Sequence, residues 1–242
     1  MERRGFLKLS GTAAAVVVAP SLITETLRAD DGSLYKTYDK VMLKDSEGNP
    51  LKTANVVEQE NYVFNFPHAA TPCILVKLDG PTDKTATLKA DDGTEYKFRG
   101  GSGKDGSIVA YSAICPHQLT HPKASTTFFQ YVPKGTKTLA YDKAVGGVFV
   151  CSSHLSAFTP KDGGARVTGP ATEGLTQIVL EVDKDDVIWA VGAVGPNKFH
   201  EFLTSFKADL KKEYGRNKAK KLVKTEAKVT TLKNFSSDIQ QF

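Results

Sequence analysis

Two cysteine–histidine pairs constrain this chain more than any other feature: Cys115-Pro116-His117 and Cys151-Ser152-Ser153-His154. Each follows a short β-branched and aromatic run, Ser107–Tyr111 before the first and Gly147–Val150 before the second. Each pair therefore occupies a loop at the end of a strand. A fold that uses both must bring together loops separated by the 33 residues between His117 and Cys151. Two thiolates and two imidazoles form a four-ligand set of soft and borderline donors, suited to iron or zinc rather than magnesium or calcium. Spacing alone leaves open a tetrahedral zinc site and an iron–sulfur centre. The third cysteine, Cys73, lies within a strand-like run, where a buried, unreactive thiol is expected.

The rest of the chain limits the folds on offer. At 242 residues and 26.2 kDa it can bury a real core without a disulfide scaffold. Hydrophobic residues make up 40% and charged residues 24%, which excludes wholesale disorder and a polytopic membrane protein. The net charge of +5 is not spread evenly, because residues 197–242 carry 11 Lys/Arg against 5 Asp/Glu. Basicity confined to a tail argues against a nucleic-acid-binding domain. Short β-type segments recur at Tyr62–Phe66, Cys73–Leu78, Ser107–Tyr111, Gly147–Val150 and Gln177–Val182, which predicts an all-β antiparallel sandwich or barrel. After Pro196 the period changes: Phe199, Phe202, Leu203, Phe206, Leu210 and Tyr214 fall at helical spacing between Asn197 as N-cap and Gly215 as stop. Arg216–Phe242 reads as an extended, partly ordered tail.

The N-terminus reads as an address. Arg3 and Arg4 precede Phe6-Leu7-Lys8 and an apolar run from Leu9 to Ile23, the layout of an export signal of the twin-arginine type. No clean small-x-small cleavage site precedes Asp30, so retention as a membrane anchor is expected. Fifteen helical residues span only about 22 Å against a bilayer core of about 30 Å, and extension to Leu27 would take in Glu25. The expected location is the periplasmic side of a bacterial cytoplasmic membrane.

The flanks of the second pair carry a resemblance. Ser156-Ala157-Phe158 is followed by Asp162–Ala171 with its Gly169-Pro170-Ala171, then Leu175 and a strand ending at Trp189–Gly192. This succession, over roughly Asn61 to Val194, resembles the Rieske [2Fe-2S] protein family. The resemblance implies Cys115 and Cys151 on one iron, His117 and His154 on the other, and a Ser156 hydroxyl on a bridging sulfide. It implies a small cluster-binding subdomain at about 112–172 inside a Rieske domain of 61–196. A signal or anchor at 1–29 and a tether at 30–60 precede it, and a basic helix and tail at 197–242 follow. Asn65-Phe66-Pro67, Thr71–Leu78 and Ile108–Ser112 resemble the small subunit of arsenite oxidase more than the Rieske subunit of quinol–cytochrome complexes.

Departures from the family pattern have physical consequences. Thr120 and Ser153 stand where many members carry a disulfide joining the cluster loops, so packing and hydrogen bonds must hold them here. The excess between the pairs, around Ala124–Ala144, brings Phe128, Phe129, Tyr131 and Tyr141, expected to pack over the loops rather than to dock a partner. Phe158 replaces a tyrosine that donates to a cysteine sulfur in high-potential members. One donor fewer predicts a potential below the top of the Rieske range, which runs from about −150 to about +300 mV.

The function implied is one-electron transfer within a respiratory or inorganic-oxidation complex, with a redox subunit or cytochrome as partner. The alternatives are a quinol-oxidising subunit of a cytochrome bc complex and a zinc-bearing structural module. Only His200 follows the Rieske region, so the two-His-one-carboxylate iron site of an oxygenase is not available there. His121 is expected to be an ordinary hydrogen-bonded loop residue. The C-terminal helix is expected to cover one face of the sheet.

Overall fold

The computed structural model describes residues 34–83, 85–140 and 146–240; the signal or anchor expected at 1–29 and Tyr141 of the aromatic excess lie outside them. Fourteen strands form three sheets among the described residues. Eight make the main sheet: β1 (Tyr35–Lys44), β2 (Tyr62–Asn65), β3 (Pro72–Lys77), β6 (Ile108–Ser112), β11 (Gln177–Val182), β12 (Ile188–Val194), β13 (Glu226–Lys228) and β14 (Thr230–Thr231). Four make the second sheet: β7 (Phe129–Val132), β8 (Val148–Cys151), β9 (Ser156–Thr159) and β10 (Ala165–Thr168). A separate hairpin pairs β4 (Thr87–Lys89) with β5 (Glu95–Lys97). No described helix is long and apolar enough to cross a membrane.

The main sheet runs in the order β13-β1-β12-β11-β6-β3-β2-β14. Its two edge strands are consecutive in sequence, separated only by Val229. One short segment therefore pairs in parallel with β1 and then antiparallel with β2, drawing the sheet's two edges together into a nearly closed barrel. The Val229 side chain is buried at this seam, and its N–H donates to the Lys44 carbonyl at 2.7 Å. Closure leaves no long open edge for another chain to pair with.

This seam corrects two sequence expectations. The stretch read as a tether at 30–60 supplies the ten-residue strand β1, which pairs with β12 over part of its length. The tail read as extended and partly ordered supplies β13, β14 and helix α3 (Leu232–Phe235), so 197–242 is not an appendage to a domain ending at 196. The expected single helix is two, α1 (Phe199–Ser205) and α2 (Lys207–Tyr214), meeting at Phe206. Lys198 rather than Asn197 takes the N-cap position, whereas Gly215 ends α2 with φ +84° as expected. Phe199, Phe202, Leu203 and Leu210 are buried, so the helical period did identify the packed face.

The barrel core gathers Val41, Leu43, Phe64, Phe66, Cys73, Leu75, Ile178 and Ile188. A second core lies between barrel and small sheet, where Ile74, Val76, Val109 and Tyr111 meet Phe129, Phe149 and Phe158. Alternation explains the split: neighbouring residues of β3 and β6 point to opposite faces. Cys73 is fully buried, its thiol donates to the Phe66 carbonyl at 3.0 Å, and burial pushes its pKa up. That is the unreactive role expected for it. Two polar links position the small sheet on the barrel. Tyr111 donates its hydroxyl to the Pro160 carbonyl at 2.8 Å. The buried Asn61 amide pairs with both backbone groups of Tyr131, accepting at 2.7 Å and donating at 2.9 Å, as a neighbouring strand would.

Candidate metal centre

The two Cys–His loops emerge side by side. Cys115 follows β6, and Cys151 is the last residue of β8, opposite Phe129 on one side and Ser156 on the other. The loops repeat one another in backbone shape. Four residues past each cysteine stands a leucine in the left-handed region, Leu119 at φ +58° and Leu155 at φ +59°. A bulky residue in that region costs about 1–3 kcal/mol and persists only where the surroundings impose it. The Leu119 N–H donates back to the Cys115 carbonyl at 2.9 Å, and Cys115 N–H to the Thr120 carbonyl at 2.8 Å.

Of the four expected side chains, the structure brings the two cysteines together and the two histidines together. Cys115 and Cys151 are buried at 2% and 1% exposure, while His117 is half-buried and His154 exposed. The two imidazoles meet edge-on with ring centroids 4.9 Å apart. The two sulfurs are hydrogen-bonded to one another. Peptide N–H groups of His117 and Gln118 point at Cys115, and those of Ser153 and His154 point at Cys151. The thiols titrate as a pair. The hydrogen bond from Cys115 holds Cys151 below the usual thiol range; Cys115, beside that sulfur and buried, is pushed up. Holding both as thiolates calls for a cationic metal centre.

The donors fit an iron–sulfur centre. Nδ1 of His117 is buried without a hydrogen-bond partner. Such an atom costs free energy unless something takes its lone pair, and metal ligation is what neutral imidazole offers. A thiol pair and an imidazole pair are the donors of a centre whose two irons take different ligands.

Ser156 is buried, and its oxygen accepts the Ala171 N–H at 3.2 Å, leaving its own proton free to donate. That bond ties the Gly169-Pro170-Ala171 loop to the second Cys–His loop. Arg166 adds a bond to the Gly169 carbonyl at 3.2 Å. Phe158, fully buried, carries no donor. Thr120, one of the two positions lacking the family disulfide, turns its hydroxyl to the Cys151 sulfur.

Two described aromatic residues of the excess pack, in the core between the sheets rather than over the loops. Phe129 and Tyr131 are buried in β7 and meet Phe149 at 5.9 and 5.6 Å. Phe128 is partly exposed, but its carbonyl accepts the Ser152 N–H at 2.7 Å and hydroxyl at 3.1 Å, gripping the second loop. Asp79 anchors the far end of the excess through Lys134 and Lys161, whose ammonium groups hold its carboxyl down to about 2. Sequence reading missed this Phe128 grip and the Asn61 bridge, because backbone acceptors leave no residue-type signature.

His121 is the loop residue expected. Its Nδ1–H donates to the Leu119 carbonyl at 2.8 Å, and its ring lies 4.7 Å from Phe202 and 4.8 Å from Phe206. Burial pushes His121 and His68 down to about 4. Unfolded imidazoles near 6.5 take up protons first, so stability is full above that value and falls as pH drops from 6.5 to about 4. Each contributes at most about 3 kcal/mol, less where solvent screens it. Urea midpoints across that window should decline, and His121→Phe should flatten the decline; an unchanged slope would contradict this.

Comparison with known proteins agrees with the geometry. A family model described as the Rieske [2Fe-2S] domain matches residues 81–180. The chain is 30% identical over 200 residues to iodate reductase subunit IdrB of Pseudomonas sp. (strain SCT), covering 81% of this chain and 80% of that one. It is 32% identical over 195 residues to the subunit of the same name from Denitromonas iodatirespirans, covering 81% and 82%. A putative respiratory nitrate reductase Rieske subunit from Haloferax mediterranei is 26% identical over 211 residues, covering 81% of each chain. With a Rieske domain matched at residues 81–180 and a relationship of 30% identity running over four-fifths of its length, the chain belongs to the Rieske [2Fe-2S] family.

Proposed function

We propose that this chain is the exported one-electron-transfer subunit of a complex whose separate catalytic subunit acts on a small inorganic oxyanion, akin to the small subunit of arsenite oxidase. Cys115 and Cys151 hold the inner iron, and His117 and His154 the outer. The carrying observation is the pairing of these side chains, thiol with thiol and imidazole with imidazole, the thiols buried and His154 exposed. The relatives support the oxyanion part, being named as subunits of iodate and nitrate reductases. Arg3 and Arg4 before an apolar run support export to the periplasmic side.

When bound, the cluster supplies reversible one-electron transfer. The protein's own groups do the rest. Burial of both cysteines excludes water from the inner ligands. Four peptide N–H groups aimed at their sulfurs stabilise negative charge there. Exposure of His154 leaves the outer edge open to a partner. With Phe158 lacking a hydroxyl, redox titration should place the potential below the upper limit of about +300 mV; a value at that limit would contradict the reading of Phe158.

The test is co-purification of the native complex from a periplasmic fraction, followed by mixing the pre-reduced complex with oxyanions. Reoxidation of the reduced centre by an oxyanion, only when a second, catalytic chain is present, supports the proposal. Direct reduction of the isolated chain by a quinol, with no such partner recovered, would replace it with the quinol-oxidising reading.

A further inference from the structure

The cluster loops lack the inter-loop disulfide positions, and a cavity of about 220 Å³ opens where a link would lie, lined in part by Thr120, Ser153, Gln118, His121 and Phe128. Phe206, from the junction of the two C-terminal helices, forms another wall of the same cavity. The chain beyond residue 197 reaches both loops from the outside.

At the first loop, the C-terminal helices hold His121 between the rings of Phe202 and Phe206, and His121 in turn donates to the Leu119 carbonyl. Leu119 is the strained left-handed residue that shapes the Cys115–His117 turn. At the second loop, the last described residues run alongside the stretch before β7. Ser237 N–H donates to the Ala124 carbonyl at 2.9 Å, and its hydroxyl to the Ser125 carbonyl at 2.9 Å. Thr127 N–H donates to the Asp238 carbonyl, and Gln240 N–H to the Thr127 carbonyl, each at 2.9 Å. Gln130 adds a side-chain bond to the Gln240 carbonyl at 3.1 Å. The residue between, Phe128, holds Ser152 through its carbonyl, and Phe129 stands opposite Cys151 in the β7–β8 register.

We propose that the C-terminal extension is a two-point clamp that positions the cluster loops, replacing by packing and hydrogen bonds the crosslink this chain lacks. One point acts on Leu119 through His121, the other on Ser152 and Cys151 through residues 124–130. Both points share one segment, which is itself fixed by the barrel seam at Val229, so the separation of the loops is set by the closed barrel. His121 and Ser237 are positioning residues on this account. The proposal rests on the ligand assignment above.

The test uses full-length, cluster-loaded protein. Ser237→Pro with Gln240→Pro removes two N–H donors of the second point, beyond α3 and the seam, so the barrel remains closed. His121→Phe keeps the ring packing of the first point and removes its bond to Leu119. Cluster release into excess chelator, followed by visible absorbance, should be about tenfold faster in each, and faster still in the combination. Melting of the β-sheet by circular dichroism should follow at a higher temperature than cluster loss. Release at the parent rate, or acceleration only in step with global unfolding, would overturn the clamp. The ligand assignment fails separately, if Cys151→Ser keeps the parent spectrum.

Discussion

Cys151→Ser is expected to give a colourless protein with no electron paramagnetic signal of a reduced two-iron centre, and Cys115→Ser to do the same. Serine does not ionise near neutral pH and is a hard donor where the centre needs a soft thiolate. The lost sulfur is also the one on which the peptide N–H groups of Ser153 and His154 converge, so those donors lose their anionic acceptor as well. Cys73→Ala is the control. That thiol lies in the barrel core against the Phe66 carbonyl, and its removal should cost stability while leaving the spectrum intact. Absorption and metal analysis of the three variants decide the matter. Colour retained without Cys115 or Cys151, or lost without Cys73, would undo the assignment of the centre.

Gly169→Ala should be strongly damaging to the second cluster loop. Gly169 has φ +90°, and a Cβ there would stand 2.4 Å from the Ser156 Cα and 2.5 Å from the Leu155 oxygen. These are backbone atoms of the second cluster loop, so neither a rotamer change nor a flexible side chain can make room. The left-handed backbone penalty of about 1 kcal/mol and an overlap penalty of about 1–3 kcal/mol act together. The loop must lift from Leu155 and Ser156, breaking the Ala171–Ser156 hydrogen bond and admitting water to the inner ligands. Gly135 separates the two contributions, because it has φ +86° but nothing within 4 Å of an added Cβ. Gly135→Ala should therefore cost only the backbone part. Denaturant melts should show a loss at least twice as large at Gly169, with faster cluster release there alone. Equal losses would mean that the Gly-Pro-Ala loop does not press on the centre.

Much of the site was legible because its chemistry is carried by residue identity. Cysteine and histidine are rare here, 3 and 5 residues, so two Cys–His pairs at strand ends stand out against the background. Buried strands with continuous apolar runs were equally legible: Gln177–Val182 was bounded as it is found, and β2, β3, β6 and β8 within a residue or so. Some of the strands that escaped notice are ones whose burial is partial. In β1 only Val41 and Leu43 are buried, and β10 has no buried residue at all, so neither shows the alternation that marks a strand. At two or three residues, β13 and β14 are too short to carry any pattern.

The amino-acid sequence by itself determined the ligand chemistry, the β class and the apolar face of the C-terminal helices, because each follows from which side chains are present and how they repeat locally. Only the tertiary structure decided how the loops are held. The barrel seam at Val229, the Asn61 bridge to Tyr131, and the grip of Phe128 on Ser152 all join residues far apart in the chain, each with backbone groups on at least one side. Every residue but proline carries the same N–H and carbonyl, so such bonds leave no mark in composition or spacing. Their partners are chosen by the closed barrel, which exists only once distant strands have paired.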